Sequence, residues 1–188
     1  MPVEFHKVSK RYEDKQVLKD LDLVIPDTGV CCLTGPSGAG KTTVLRLIAG
    51  LEQPDSGTIT GTDAKKISMV FQNDRLLPGS SAAENIALVS TPADAALWLE
   101  RMELSDAADK KPSKLSGGMR RRVALARALA YGGDILLLDE PFKGFDPALK
   151  QRILPFVVDF SKTAAVVLVT HDEQESALAE TCLMIKKL

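Results

Sequence analysis

No stretch of this chain stays apolar for the ~18–20 residues that a bilayer-spanning helix requires, so any membrane role has to pass through a partner. The opening residues Met1–Pro2–Val3–Glu4–Phe5–His6 lack the basic region and apolar run of a secretory signal. There are only three cysteines and two histidines, with no C-x-x-C spacing, which leaves no basis for a zinc site. Cys31, Cys32 and Cys182 are expected as buried free thiols of a reducing compartment. Neither sign of charge dominates: 24 basic and 25 acidic residues give a net charge of −1. The basic excess typical of nucleic-acid binders is missing, and no nucleic-acid partner is expected. Internal repeats, low-complexity tracts and long linkers are absent too.

What remains is an ordinary globular composition. A chain of 188 residues, 45% hydrophobic and 26% charged, has room for one domain with a small subdomain. Val3 to Val8 and Val17 to Ile25 alternate apolar with polar residues, as half-buried strands do. Val30–Leu33, Ile135–Leu138 and Ala165–Val169 are continuous apolar runs, which predicts strands covered on both faces in a parallel sheet. Thr58–Thr60, Ile67–Phe71 and Cys182–Ile185 read as shorter strands. Helices are predicted over Thr42–Ala49, Ala82–Leu88, Pro92–Met102, Met119–Ala130, Gln151–Ser161 and Glu173–Glu180. Pro155 is expected to kink its helix, and Trp98 to pack in the core of the helical part.

Three motifs carry chemistry. Gly35–Pro36–Ser37–Gly38–Ala39–Gly40–Lys41–Thr42 is a complete P-loop pattern between an apolar strand and a helix, with Thr43 directly after it. Its glycines let backbone N–H groups turn inward on a phosphate, and the helix N-terminus adds positive potential. Lys41 offers a point charge to the outer phosphates and Thr42 a hydroxyl to Mg²⁺. The second motif is the strand Ile135–Leu138 running into Asp139–Glu140. Successive strand residues face opposite ways, so the two acids have different tasks. Asp139 is placed to hold Mg²⁺, directly or through a water, and Glu140 to polarise an attacking water. The third is Ser116–Gly117–Gly118 at the start of a helix, a cap and a second anion site. Two phosphate sites in a chain that binds one nucleotide suggest a head-to-tail dimer, in which each chain's second site closes on the other chain's ATP.

Leu115 to Leu129, LSGGMRRRVALARAL, resembles the signature motif of ABC ATPases and the helix behind it. The resemblance extends over nearly the whole chain in the family's order. It implies an α/β fold: a P-loop NTPase core of the ABC type with an N-terminal antiparallel β portion and a small helical subdomain. The core would comprise 1–75 and 132–188, the subdomain 76–131. Tyr12 sits where the family has an aromatic that stacks on adenine, although a tyrosine here could also merely pack beside its strand. Gln72 resembles the glutamine that touches Mg²⁺ and the attacking water and senses the permease. Asp146 resembles the aspartate that crosses the dimer interface, and His171 the switch histidine at the γ-phosphate. ATP and Mg²⁺ are the implied ligands. The implied partners are a membrane-embedded permease, met near Gln72–Ile86, and a second ATPase chain, identical or related. The implied location is the cytoplasmic face of the cell membrane.

Some residues depart from the family pattern. Gly144–Phe145 stands where a small residue and leucine are usual, and Arg121 where glutamine is frequent. The run Arg120–Arg121–Arg122 is expected as a solvated face, or as one that meets anionic groups. Phe71 to Pro78 is similar to bacterial importers of small oxyanions such as nitrate, sulfonates or taurine. A small nucleotide kinase shares the P-loop and the size, but explains neither Leu115–Met119 nor Glu140 with His171. A GTPase would need an N-K-x-D tetrapeptide, which is absent. ABC proteins of DNA repair or ribosome work usually carry coiled-coil insertions or a second ATPase domain, for which this chain has no room.

Overall fold

The computed structural model describes residues 1–188. In chain order the elements are β1 (Val3–Tyr12), β2 (Lys15–Ile25), β3 (Gly29–Thr34), α1 (Lys41–Ile48), β4 (Ser56–Thr60) and β5 (Ile67–Val70). Then follow α2 (Ala82–Ala87), α3 (Pro92–Arg101), α4 (Gly117–Tyr131), β6 (Ile135–Asp139), α5 (Pro147–Ser161), β7 (Ala165–Val169), α6 (Glu173–Ser176) and β8 (Thr181–Met184). Strands β2-β1-β4 form an antiparallel sheet. Strands β5-β6-β7-β3-β8 form a second sheet in which every pairing is parallel.

The parallel sheet is the middle layer, and the two-residue period of its strands divides its side chains between two cores. Ile135 and Leu137 of β6, with Ala165, Val167 and Val169 of β7, face α1 and the antiparallel sheet, where they meet Phe5, Leu45 and Ile48. Leu136, Leu138, Val166 and Leu168 face the other way, onto Ile86, Leu99, Leu125 and Ile153 of the helices. All five residues of β6 and of β7 are buried, Ile135–Leu138 and Ala165–Val169 as their unbroken apolar runs predict and the charged Asp139 with them. Burying each such side chain contributes roughly 1.5–3 kcal/mol, so this layer supplies much of the stability.

Several elements differ from the sequence reading, each for a local reason. β1 runs on from Val8 to Tyr12 because pairing with Leu18, Gln16 and Lys15 carries the ladder past the apolar alternation. α5 starts at Pro147, not Gln151, since the Asp146 carboxylate caps it and proline suits the first helical position. It continues through Pro155 to Ser161. α6 stops at Ser176 instead of reaching Glu180, whose N–H is taken by the Val30 carbonyl at 3.0 Å as the chain enters β8. Both α2 and α3 begin with reciprocal capping boxes, Ser81 with Glu84 and Thr91 with Asp94. Trp98 is half-buried rather than fully inside, set edge-on to Phe156 with ring centroids 5.9 Å apart. No helix is long and apolar enough to cross a membrane.

The thiols divide. Cys31 and Cys32 on the inner strand β3 are buried, whereas Cys182 on the edge strand β8 is exposed, contrary to the sequence expectation. Burial pushes the Cys31 thiol up to about 12 and raises that of Cys32. Thiolate is the reactive form, so a thiol reagent at pH 8 should label Cys182 alone in the native protein and all three cysteines after unfolding. Fast labelling of a second native thiol would contradict the placement of β3 inside the sheet.

Candidate functional site

β6, β7 and β3 lie side by side, so their carboxyl ends share one edge of the sheet, the edge where parallel α/β sheets bind ligands. Each strand delivers a different group there: β3 the glycine-rich loop, β6 Asp139 and Glu140, β7 Thr170 and His171. The loop folds back so that Ala39 N donates to Pro36 O at 3.2 Å, which tucks Ala39 into the core. A Cβ on Gly35 would lie 2.2 Å from the Ile185 carbonyl oxygen, so only hydrogen fits. Lys41, 6% exposed, sits over the loop and donates to the carbonyls of Gly35 at 2.7 Å and Pro36 at 3.1 Å. Ser37, Gly38, Gly40, Lys41, Thr42 and Thr43 line one cleft of about 550 Å³, with Tyr12, Gln72, Asp139, Glu140 and His171 in the same wall.

Asp139 is buried at 2% exposure and accepts a 2.8 Å hydrogen bond from the Thr42 hydroxyl. Burial holds its carboxyl above its ordinary value, partly offset by that bond. A hydroxyl and a buried carboxylate this close are hard oxygen donors. Such donors suit Mg²⁺, an ion that takes few protein ligands and keeps waters and phosphate oxygens. Glu140 leaves the strand in a left-handed backbone conformation, φ 51°, with its N–H on the Val169 carbonyl at 2.9 Å, and lines the same cleft. The Lys143 ammonium donates to it at 2.8 Å and holds its carboxyl below the ordinary value. His171 Nε2 stands 3.8 Å from the same carboxylate. Behind it, Lys150 is paired with Asp172 and, at 3.0 Å, with Glu175. Thr170 Oγ1 donates to Glu175 at 2.5 Å, so the residues flanking His171 are fixed from below.

Tyr12 stands at the mouth of the cleft, 36% exposed. Its hydroxyl donates to Glu52, which also accepts from Arg46 at 3.1 Å. Burial, then the Glu52 bond, raises the phenol above its ordinary value, so it stays neutral. The ring is anchored at its hydroxyl end.

Ser116, Gly117 and Gly118 do not join these residues. Ser116 caps α4, accepting from Met119 N at 3.2 Å. The two glycines line a second cleft with Gln72, Lys143 and Gly144. Asp146 stands outside both clefts and caps α5, accepting from Leu149 N at 2.9 Å. Gln72 is the predicted residue that lines both clefts. Of the arginine run only Arg120 keeps an exposed side chain, at 41%, and both it and Arg121 meet an anionic group, Asp74, at 3.8 and 3.0 Å. Arg120 donates to Leu115 O at 2.7 Å, Arg121 to Phe71 O at 2.8 Å and Gln72 O at 2.6 Å, and Arg122 to Met102 O at 2.7 Å. The guanidinium groups of this turn of α4 thus satisfy carbonyls of 71–72, of Met102 and of Leu115, none of them in a helix or strand ladder.

A family model described as ABC transporter matches residues 18–143. The chain belongs to the ABC transporter family of ATP-binding proteins. It is 40% identical over 194 residues to the sulfate/thiosulfate import ATP-binding protein of Synechococcus elongatus, a match covering 93% of this chain and 56% of that protein. Over 200 residues it is 39% identical to the protein of the same description from Escherichia coli K12, covering 94% and 55%. The chain thus spans about half the length of these relatives. Among solved structures it is similar to an ATP-binding cassette in a dimeric post-hydrolysis state bound to ADP and Pi, with TM-score 0.90, 30% identity, and coverage of 98% of this chain and 96% of that one. The ABC architecture inferred from the sequence is therefore the observed one.

Beyond the family motifs, the ABC site recruits residues that no motif announces. Lys143 has the i,i+3 spacing of an ion pair with Glu140, a signal visible in the sequence. Glu52 and Arg121 reach their partners only through the tertiary fold. Replacing Lys41 by alanine should weaken binding of a fluorescent ATP analogue about 10-fold or more, since charge-assisted bonds of this kind are worth about 1.5–3 kcal/mol. Unchanged affinity together with unchanged turnover would overturn the assignment of the loop.

Proposed function

We propose that this chain binds and hydrolyses ATP and that the energy of the cycle drives a separate membrane permease. The observation that carries the reading is the convergence, in one cleft, of Lys41 and Thr42 with Asp139, Glu140 and His171. Lys41 would neutralise the outer phosphates from within the glycine loop, and the N-terminus of α1 adds its dipole. Thr42 and Asp139, with Gln72 opposite, would hold Mg²⁺, which when bound supplies Lewis-acid polarisation of phosphate oxygens. Glu140 would orient the water and accept its proton, and His171 would contact the γ-phosphate from the end of β7. Tyr12 would present its ring to adenine, a flat face suited to a base.

The separation of Ser116–Gly118 from the P-loop cleft supports a head-to-tail dimer. Each signature turn, with its Asp146, would then close on the partner's nucleotide. A dimeric state bound to ADP and Pi is how the similar cassette was solved. The pair would be two copies of this chain or this chain with a related ATPase. The segment 76–131 would act as the helical subdomain and receive the permease near Gln72–Ile86, with 1–75 and 132–188 as the catalytic core. The chain would work at the cytoplasmic face of the membrane. Cargo of the small-oxyanion class is supported by relatives named for sulfate/thiosulfate import and by the similarity of Phe71–Pro78 to nitrate, sulfonate and taurine importers. The import names also favour transport over repair or ribosome work.

Glu140→Gln should still bind ATP but lose about 10²–10⁴ in turnover, the range for a lost general base, and should accumulate an ATP-bound dimer by light scattering. Wild-type turnover in this variant would remove Glu140 from the role. Affinity purification from detergent-solubilised membranes should recover a multi-span protein at near-equal abundance. Recovery of soluble partners alone would refute the transport half of the reading.

A further inference from the structure

Residues 71–77, between β5 and α2, form neither helix nor strand, yet their backbone is held from both sides. Arg127 of α4 donates to the Arg75 carbonyl at 3.0 Å, and Asn85 of α2 donates to the Leu77 carbonyl at 3.2 Å and accepts from its N–H at 2.8 Å. The end nearest the nucleotide cleft is held by Arg121, only 8% exposed. Its Nη1 and Nη2 take the successive carbonyls of Phe71 and Gln72 at 2.8 and 2.6 Å, and its Nε is ion-paired with Asp74 at 3.0 Å.

This arrangement depends on the shape of arginine. A planar fork meets two successive carbonyls and a carboxylate at once, whereas lysine is a single point charge and glutamine has one amide group to donate. Arg121 lies about one helical turn from the glycines that open α4. The peptide it grips is the one from which the Gln72 side chain reaches both clefts. We propose that Arg121 is a positioning residue for Gln72, tying its backbone to the signature turn so that the nucleotide cleft and the signature cleft move into register together. The proposal rests on the ATPase reading above. A shift of the signature helix on meeting a partner's nucleotide would be delivered, through one guanidinium, to a residue that lines the same cleft as Asp139.

The test uses the full chain with Arg121→Gln, Arg121→Lys, Gln72→Ala and the double variant Gln72→Ala/Arg121→Gln. Four quantities are read: melting, binding of a fluorescent ATP analogue, kcat for ATP, and hydrogen exchange of the amides in 71–76. Both Arg121 variants should melt cooperatively and bind nucleotide within about threefold of wild type, while kcat falls about 10- to 100-fold, as for a misplaced catalytic group. Exchange should rise in 71–76. In the Gln72→Ala background, Arg121→Gln should cost kcat nothing further, because the two residues act through one another. Multiplying losses in the double variant, unchanged exchange, or loss of cooperative melting in both Arg121 variants would overturn the proposal. A wild-type chain that turns over no ATP would sink the ATPase reading instead, and exchange in 71–76 would still decide whether the tether exists.

Discussion

The 2.8 Å hydrogen bond from Thr42 to Asp139 joins residues 97 apart in sequence, and the site is organised around it. Thr42 is in the first turn of α1, where the glycine loop releases the chain into a helix. Asp139 ends β6, the strand that both β5 and β7 flank. For these side chains to meet, β3 and β6 must run the same way with their ends level. The parallel registers β3 to β7 and β7 to β6 achieve that through Val169, which pairs with Leu33 on one side and Asp139 on the other. A register slip of one residue along either ladder would turn the inward residues outward and separate phosphate cradle from carboxylate.

That dependence explains why the sheet is so fully enclosed. A buried carboxylate is costly unless it is partnered, and Asp139 keeps the Thr42 hydroxyl as its partner at the floor of a cleft lined mostly by polar residues. Its burial follows from β6 being covered by α1 on one face and by the helices on the other. The two cores therefore do more than stabilise. They set the buried Asp139 carboxylate at the floor of the cleft, where a divalent cation would be attracted to it.

The parts of this design that could be read from the sequence are those where chemistry is contiguous. The glycine loop, Asp139–Glu140 and Ser116–Gly118 are each a few consecutive residues whose strand or helix context is also local. The buried runs Ile135–Leu138 and Ala165–Val169 announce a two-faced sheet for the same reason. Elements set by long-range pairing were less legible. β1 extends to Tyr12 only because β2 lies beside it, and α6 ends at Ser176 only because Glu180 must meet β3. The arginine run misleads most: three adjacent cations in a helix suggest a wet face. Besides the Asp74 carboxylate, their acceptors are carbonyls, which every sequence contains and no sequence marks. Cys182 fails for a topological reason, since nothing in its own strand says that it is an edge.

Glu140 gathers these constraints at one residue. The strand that carries Asp139 inward would, if it continued regularly, aim the next side chain to the opposite face of the sheet. Instead the chain leaves β6 in a left-handed conformation at Glu140, a state that costs a non-glycine residue on the order of 1 kcal/mol. Glycine would relieve that strain but would leave no carboxylate. The backbone is held there by the bond to Val169, so β7 fixes the turn that β6 alone would not make. The carboxylate then lies between the Lys143 ammonium and His171, at the junction of the loop that leads to Asp146 and the loop that follows β7. Each loop thus supplies one of the carboxylate's two nearest polar neighbours, Lys143 at 2.8 Å and His171 at 3.8 Å. Glu140 is therefore contacted by loop segments, whereas Asp139 and Thr42 are joined at the ends of a buried strand and a helix beneath it.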